Sequence, residues 1–470
     1  MISDSEFTRY LYYGHEDYIE KDLVNRRFKH SDIIPLINKI KNTDKFKIKK
    51  AGTSTEGRDI FLISYGKGKT KILLWSQMHG DETTATMAIF DILNFLSSDK
   101  DFKELKNELQ KKLTIYFMPM LNPDGAEVFQ RNNTMGIDIN RDARRLQSDE
   151  AKLLLKYFRE LKANFGFNLH DQSTRYSVGK TFKPVTISFL APPFNEKVMI
   201  NTTRGNAAKL ISKLYNLLSE FIPGHIARYK DEFEPRAFGD LLQKLGTSTI
   251  LIESGGWKND PEKQFIRKLN FIALLCSFKI IAEKSYNNAK IKTYESIPEN
   301  QEFIRDIIFR NISYIKNGKK ILIDIAVNLE EINTKDFRNF FYKSIIDDIG
   351  DLSGLYGYED HDFTGLTVEY GRTYRGKSFS EKELYGLNFC EFYKNGYTNI
   401  RVKQCENLEY SNFPINLVRN YSEKIEDEIR TELPANFILR KNSVVKYAVI
   451  NGFLKSIRSD SGQVKNGIIY

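Results

Sequence analysis

Two side chains of the types that bind metal ions follow a short apolar run. Residues 71–78 are mostly apolar, and His79 and Glu82 come directly after them. A His-x-x-Glu turn at the end of a strand offers one zinc ion an imidazole nitrogen and a carboxylate oxygen, and it leaves other positions for a distant ligand and for water. The alternative is that His79 is only a polar residue at a strand end. The four residues of this turn, 79–82, suggest metal chemistry.

Two further candidates end two other apolar runs. His170 follows residues 165–169, and Glu253 follows residues 247–252. In open α/β sheets, functional groups gather beyond the carboxyl ends of the strands. His170 taken alone is a polar strand terminus that a neighbouring acid could hold by a hydrogen bond. Three strand ends that carry such groups together favour a shared site.

A third element lies in a polar stretch. Arg131, Asn140 and Arg141 follow an Asn-Pro-Asp-Gly turn. A guanidinium group presents paired donors that match the two oxygens of a carboxylate, so these residues are suited to hold one. Surface salt bridges are the alternative.

Predicted strands and helices alternate through the first part of the chain. Over residues 50–285 the apolar spacing predicts strands at 71–78, 113–118, 165–169, 185–190 and 247–252, and helices at 84–96, 149–161, 196–221 and 261–281. This order is typical of an α/β domain whose mixed, largely parallel sheet is flanked by helices. Beyond residue 290, short apolar segments separated by turns predict a β-rich accessory domain. We therefore expect domains at 1–288 and 289–470.

Composition excludes several classes of protein. The chain has 470 residues, a net charge of +10 and three cysteines, and its lysines are spread along its whole length. Such spreading argues against nucleic acid as a partner. The sparse cysteines fit reduced thiols. The sequence has neither a secretory signal nor an apolar run long enough to span a bilayer, which predicts a cytoplasmic protein without a membrane partner.

In this order the motifs resemble those of the zinc metallocarboxypeptidases of the carboxypeptidase A type, in particular their compact microbial or cytosolic members. The resemblance covers roughly residues 1–285 and rests on five elements, with a further likeness at residues 52–58. The elements are His79-x-x-Glu82, Asn122-Pro-Asp-Gly125, Arg131 with Asn140-Arg141, Asn168-Leu-His170, and Ile252-Glu253-Ser-Gly-Gly256.

The resemblance implies a carboxypeptidase-like fold and a binding site for one zinc ion. The zinc ligands would be His79, Glu82 and His170, with water in the open position. Asp138 would match the acid that accepts a hydrogen bond from the free ring nitrogen of the first histidine and so fixes its tautomer. Asp81 departs from the family pattern, in which many members carry Arg or Asn at this position. The surroundings of the metal are therefore expected to be more acidic.

The resemblance also implies residues that act on the substrate. Glu253 would match the catalytic glutamate, which takes a proton from water and delivers it to the leaving amine. Arg131 would polarise the scissile carbonyl, while Asn140 and Arg141 would hold the terminal carboxylate. Tyr229 is a candidate for the mobile tyrosine of the family.

The expected activity is that of a zinc-dependent carboxypeptidase, which cleaves at a C-terminus because its carboxylate site requires one. Its partner would be a peptide or acyl-amino acid with a free C-terminal carboxylate. Two alternatives stay open. One is an N-acyl amino acid deacylase of the aspartoacylase kind, and the other is a non-catalytic module that binds peptide C-termini.

Overall fold

The chain forms two compact units, Met1–Glu302 and Phe303–Tyr470, in a computed structural model. The structure describes residues 2–405, 409–419, 428–458 and 462–470. The first unit ends at Glu302 rather than at residue 288. The reason is that helix Ile291–Glu295 packs on helix Thr202–Leu218, and strand Asn300–Gln301 pairs with strand Ser177–Val178.

The first unit is built from alternating helices and strands. Its helices are α1 Asp4–Gly14, α2 His30–Lys41, α3 Thr84–Ser97, α4 Lys103–Lys112, α5 Pro123–Glu127, α6 Asp149–Leu161, α7 Thr202–Leu218, α8 Phe238–Lys244, α9 Gln264–Glu283 and α10 Ile291–Glu295. Its strands are β1 Phe46–Thr53, β2 Asp59–Gly66, β3 Thr70–Ser76, β4 Leu113–Met118, β5 Phe165–Asp171, β6 Ser177–Val178, β7 Ile187–Leu190, β8 Ile226–Arg228, β9 Ser248–Ser254 and β10 Asn300–Gln301.

A mixed eight-stranded sheet organises this unit, in the order β1-β2-β4-β3-β5-β9-β7-β8. The central neighbours β4, β3, β5 and β9 run parallel to one another. Strands β1 and β2 are antiparallel to each other, β2 is antiparallel to β4, and β7 is antiparallel to β9. The predicted fold class, a mixed and largely parallel sheet flanked by helices, is confirmed.

The central strands are apolar along their length because helices cover both of their faces. In β3, Ile72 and Leu74 pack into a core with helices α1, α2, α3, α4, α7 and α9. Leu73 and Trp75 point to the opposite face and pack with α6 and α8. Side chains alternate between the two faces of a strand, so one run of residues contributes to two cores.

Two helices begin later than predicted. Helix α7 begins at Thr202 because the side chain of Asn201 accepts a hydrogen bond from Arg204 N and caps the helix. The carboxylate of Asp260 similarly accepts from Gln264 N and Phe265 N at the start of α9. The hairpin of β1 and β2 was not anticipated, since most residues of β1 are exposed or half-buried and form no apolar run.

A buried charge cluster ties the N-terminal segment to the core of the first unit. Arg267 in α9 donates to both carboxylate oxygens of Asp91 in α3, at 2.7 and 2.5 Å, and both side chains are fully buried. Arg267 also donates to the backbone oxygens of Glu20 and Leu23, and His15 Nε2 lies 2.8 Å from Asp91. The segment that precedes α2 is therefore held by ionic contacts as well as by apolar packing.

The second unit is β-rich, as predicted. Its strands are β11 Ile304–Lys316, β12 Lys319–Asn333, β13 Phe340–Gly350, β14 Tyr356–Asp362, β15 Thr367–Tyr370, β16 Arg372–Phe379, β17 Tyr397–Val402, β18 Tyr410–Ser411, β19 Asn416–Arg419, β20 Phe437–Lys441, β21 Val444–Ile450, β22 Phe453–Ser456 and β23 Gly467–Ile468. Two short helices, α11 Glu381–Leu384 and α12 Phe389–Lys394, accompany them. The largest sheet has the order β13-β12-β11-β15-β20-β21-β22, with β14 paired to β11. Among the residues that the structure describes, no helix has the length and apolar character needed to cross a bilayer.

Candidate functional site

Three ligand-type side chains meet at the carboxyl ends of the central strands. His79 follows β3, Glu82 precedes α3 and His170 lies near the end of β5. His79 Nδ1 is 2.6 Å from Glu82 Oε1, His170 Nδ1 is 2.6 Å from Glu82 Oε2, and the two Nδ1 atoms are 3.2 Å apart. All three side chains are buried. Over the described ranges, this is the one His/Cys/Asp/Glu cluster with the geometry to hold a metal ion.

The sheet register brings these residues together. Strands β3 and β5 pair in parallel with Ser76 opposite Leu169, so the residues that follow both strands emerge at one edge. The intervening Gly80 packs directly on helix α5, where an added Cβ would lie 2.1 Å from the backbone carbonyl carbon of Gly125. Only glycine fits this approach, which fixes the turn between the two ligands of this segment.

The electrostatics of the cluster favour a cation. Burial alone would raise the pKa of Glu82, but His79 and His170 hold it below its ordinary value. Burial opposes protonation of His79, yet Glu82 and Asp138 raise its pKa to about 9. Two imidazole nitrogens and a carboxylate that all point inward need a shared positive charge, and nitrogen and oxygen donors of these types suit zinc. The residues present therefore fit the metal that the resemblance implies.

Asp138 connects the cluster of His79, Glu82 and His170 to Arg131. Its Oδ1 atom lies 3.1 Å from His79 Nε2 and accepts from Asn140 N at 2.8 Å. Its Oδ2 atom accepts from Arg131 Nε and Nη2 at 3.1 and 2.9 Å. Arg131 Nη1 also donates to Glu82 Oε1 at 3.3 Å. One carboxylate thus orients both the ring of His79 and the guanidinium group.

Glu253 lies next to His170 on the neighbouring strand. Strands β5 and β9 pair in parallel with His170 opposite Glu253, and the Glu253 side chain is buried. Burial, together with the negative charge of Glu82, raises the pKa of Glu253 well above its ordinary value. A carboxyl group in this state holds its proton more strongly than an exposed one.

A cleft of about 500 Å³ joins these groups. It is lined by every predicted site residue except Asp138: His79, Glu82, Arg131, Asn140, Arg141, His170, Tyr229 and Glu253. Asn140 Nδ2 lies 3.4 Å from His170 Nε2, and Asn140 Oδ1 accepts from Phe238 N at 2.9 Å. Arg141 is partly exposed, and its Nε atom lies 3.7 Å from Glu234. The aromatic rings of Tyr229 and Tyr176 are in edge contact.

Asp81 lies between the two ligands of the His79 turn. Its Oδ1 atom is buried and, within the described part of the chain, has no hydrogen-bond partner. Burial, with a contribution from Glu82, raises the pKa of Asp81 to about 6. The more acidic surroundings expected from this departure stay a prediction.

Sequence reasoning missed a group of contacts beneath the site. Lys263 Nζ donates to Asp171 Oδ2 at 3.2 Å and to the backbone oxygen of Ser254 at 3.1 Å. Thr84 Oγ1 donates to the same Asp171 oxygen at 2.6 Å. These bonds connect the ends of β5 and β9 to the start of α3. No motif marks Lys263, because it lies in an irregular segment before α9.

Asn168 was predicted from sequence only as part of a motif and Leu251 was not predicted, although a sequence signal marks both as cleft residues. Leu251 and Asn168 line the cleft, and each lies two residues before a predicted site residue on the same strand. Residues two apart on a strand point to the same face, so strand periodicity alone identifies both. Gln172, Tyr176 and Asp240 also line the cleft, and no sequence pattern indicates them.

Comparison with known proteins supports the family resemblance. Residues 36–188 match the profile of the family described as zinc carboxypeptidase. Carboxypeptidase SOL1 of Arabidopsis thaliana is 25% identical over 103 residues, which cover 20% of this chain and 21% of that protein. Probable carboxypeptidase 2 of Trichophyton verrucosum is 26% identical over 116 residues, covering 24% of this chain and 21% of that protein.

A solved metallo-carboxypeptidase from Burkholderia cenocepacia superposes with a TM-score of 0.45 at 13% identity, covering 55% of this chain and 70% of that one. The segments that match carboxypeptidase SOL1 and probable carboxypeptidase 2 span about a fifth of the length of each of these two relatives.

Proposed function

We propose that this protein is a zinc-dependent carboxypeptidase that hydrolyses the C-terminal amide bond of peptides. The match of residues 36–188 to the zinc carboxypeptidase family model supports this proposal. The observation that carries the proposal is the convergence of His79, Glu82 and His170 at a cleft that also holds Arg131 and Glu253. Few arrangements other than metal-assisted hydrolysis use such a set of groups together.

His79, Glu82 and His170 would hold the zinc ion through two Nδ1 atoms and the carboxylate. When bound, zinc polarises a substrate carbonyl and acidifies water. Asp138 keeps His79 in the tautomer whose Nδ1 lone pair faces the cluster, because it accepts the proton carried on Nε2. The cluster is buried, so the cleft side is the direction from which substrate and water reach it.

Glu253 would act first as the general base and then as the general acid. It takes a proton from the attacking water as the new carbon–oxygen bond forms, and it passes that proton to the amide nitrogen as the carbon–nitrogen bond breaks. Its raised pKa suits both steps. Arg131, fixed by Asp138 and next to Glu82, presents a guanidinium group to the oxygen on which negative charge develops.

Asn140 and Arg141 would hold the terminal carboxylate of the peptide. Both line the cleft with the metal ligands, and Asn140 is fixed by its bond from Phe238 N. The contact of Arg141 with Glu234 is long, at 3.7 Å, and this leaves the guanidinium group available to a ligand. Binding a free carboxylate one residue beyond the scissile bond restricts cleavage to the chain end.

The test uses the full chain purified with zinc and a set of N-acylated dipeptides. We expect release of the C-terminal amino acid, loss of activity with a chelator and recovery with zinc. The same peptides with an amidated C-terminus are the matched control and should resist cleavage. Glu253→Gln should lower kcat by roughly 10²–10⁴-fold while zinc content stays stoichiometric.

Three results would contradict the proposal. Activity confined to N-acyl amino acids would identify a deacylase of the aspartoacylase kind. Tight binding of peptides without turnover would identify a binding module. Equal cleavage of the amidated peptides would remove the role of the Asn140 and Arg141 carboxylate site.

A further inference from the structure

We propose that a second cavity in the first unit binds phosphate groups, carried either by a free phosphate ion or by a small organic phosphate. The cavity has a volume of about 660 Å³. Phe165 and Ser248, the first residues of β5 and β9, lie opposite each other in the sheet and line it. His170 and Glu253 lie toward the other ends of the same two strands. The cavity is therefore separate from the cleft, and the inference does not depend on the proposed function.

Three cationic side chains line this cavity. Arg159 lies in the last turn of α6, and Lys162 and Lys284 directly follow the ends of α6 and α9. Among the described residues, no carboxylate lines the cavity, and the three cationic groups have neither an ion pair nor a hydrogen bond. Arginine matches phosphate oxygens with paired N–H donors, and lysine binds phosphate as a point charge. The cavity thus presents a positive charge that the described part of the chain does not neutralise.

Polar side chains without partners lie beside these cations. Ser248 is only 4% exposed, and its hydroxyl group has no hydrogen-bond partner within the described ranges. The side chains of Thr70, Thr203 and Asn206 also line the cavity and likewise have no partner among the residues described. A buried hydroxyl group without a partner is unfavourable, and a phosphate oxygen would accept from it and from its neighbours.

The backbone at the two lysines supports a role for the cavity beyond helix capping. Lys162 and Lys284 have φ angles of 50° and 55°, in the left-handed region that favours glycine. A cation at a helix C-terminus interacts favourably with the helix dipole, which accounts for a lysine at either position. This interaction does not account for the unpartnered hydroxyl and amide groups beside them. A phosphate ligand accounts for both.

The size of the cavity and its aromatic side chains favour an organic phosphate over the free ion. Phe165 and Tyr286 line the cavity with their rings in edge contact, at 5.4 Å between centroids. A volume of about 660 Å³ lies within the range of small-molecule sites, roughly 300–1,000 Å³. A single phosphate ion needs much less room. A ring that carries phosphate groups, as in a nucleoside diphosphate, matches both the cations and the aromatic surface.

The test is a calorimetric titration of the full chain with ADP, adenosine and inorganic phosphate. We expect ADP to bind at one site and at least about tenfold more tightly than adenosine, which lacks the charged hydrogen-bond acceptors. Inorganic phosphate that binds more weakly than ADP would support an organic phosphate as the ligand. Inorganic phosphate that binds as tightly as ADP would support the free ion.

A double variant, Lys162→Gly with Lys284→Gly, removes two cations at positions where glycine suits the backbone. Its Tm should therefore not fall, while its Kd for ADP should rise by at least about tenfold. The matched control is Lys152→Gln with Lys156→Gln. It removes two exposed lysines of α6 that do not line the cavity, and its Kd for ADP should stay within about twofold of the parent.

Three results would overturn the proposal. Absence of binding of both ADP and inorganic phosphate would show that the cavity is not a phosphate site. An unchanged Kd in Lys162→Gly with Lys284→Gly would locate the binding elsewhere on the protein. An equal loss of affinity in the control variant would attribute the binding to net charge. All three leave the carboxypeptidase function intact.

Discussion

Replacing Asp138 by asparagine tests how His79, a proposed zinc ligand, is held in place. The carboxylate of Asp138 accepts from His79 Nε2, Arg131 and Asn140 N. Asparagine has nearly the same shape, but it carries no charge and its amide offers one acceptor atom where the carboxylate offers two. The substitution therefore weakens the orientation of His79 and the fixing of Arg131 without opening a cavity.

The size of the effect follows from these contacts. Loss of a partner that orients a metal-bound histidine typically costs 10–100-fold in metal affinity or activity. Arg131 loses its two contacts with the Asp138 carboxylate as well, at 3.1 and 2.9 Å, so its guanidinium group is held less firmly near the developing charge. We expect zinc affinity to fall by about 10–100-fold, with a further decrease in kcat that saturating zinc does not restore.

The assay separates these two losses. Zinc content is measured after equilibration in a series of metal buffers, and kcat is measured at saturating zinc. Asp149→Asn is the control, because Asp149 is 55% exposed on α6 and contacts only Lys152 among the charged side chains of the described residues. Unchanged zinc affinity in Asp138→Asn, within about threefold of the parent, would refute the orienting role of Asp138.

Two further predictions concern stability. Arg267→Met leaves the Asp91 carboxylate buried without its principal partner, so the unfolding free energy should fall by about 3–5 kcal/mol in denaturant melts. A fall below about 1 kcal/mol, the size expected of an exposed pair, would contradict the importance of the cluster. For Asp240, the unfolded carboxyl ionises near its ordinary pKa of 3.8, whereas the folded one keeps its proton to about 7. The folded state binds more protons between these values, so its contribution to the unfolding free energy is complete below 3.8 and is lost as the pH rises to about 7. Asp240→Asn should flatten this slope in melts from pH 4 to 8, and an unchanged slope would count against it.

The central strands of the first unit were predictable from sequence because runs of neighbouring apolar residues determine them. Strand β4 has the predicted bounds, Leu113–Met118, since its residues are buried or half-buried and form a mostly apolar run. The candidate metal ligands could be named from the sequence for a related reason. A polar residue that ends such a run lies at the carboxyl edge of the sheet, where His79 and His170 do meet.

The periphery was less predictable because tertiary contacts decide it. The residues of β1 do not alternate regularly between buried and exposed positions, so this strand is recognisable only through its pairing with β2. Asp240 and Lys263 reach the site from segments without a motif, and their contacts depend on packing that the sequence does not display. The roles assigned to Glu253, Arg131 and Tyr229 stay predictions until the variants are measured, as does the cytoplasmic location.

The cluster of His79, Glu82 and His170 forms only when strands that are distant in sequence pair with one another. His79 follows β3, while His170 and Glu253 lie in β5 and β9; these three strands are adjacent in the sheet although long stretches of chain separate them. Pairings of such high contact order form slowly, because the entropy of loop closure must be overcome first. The side chains of His79, Glu82 and His170 thus converge only once β3 and β5 have paired. Under the proposed function, zinc would therefore bind late in folding and would stabilise the paired strands rather than initiate their pairing.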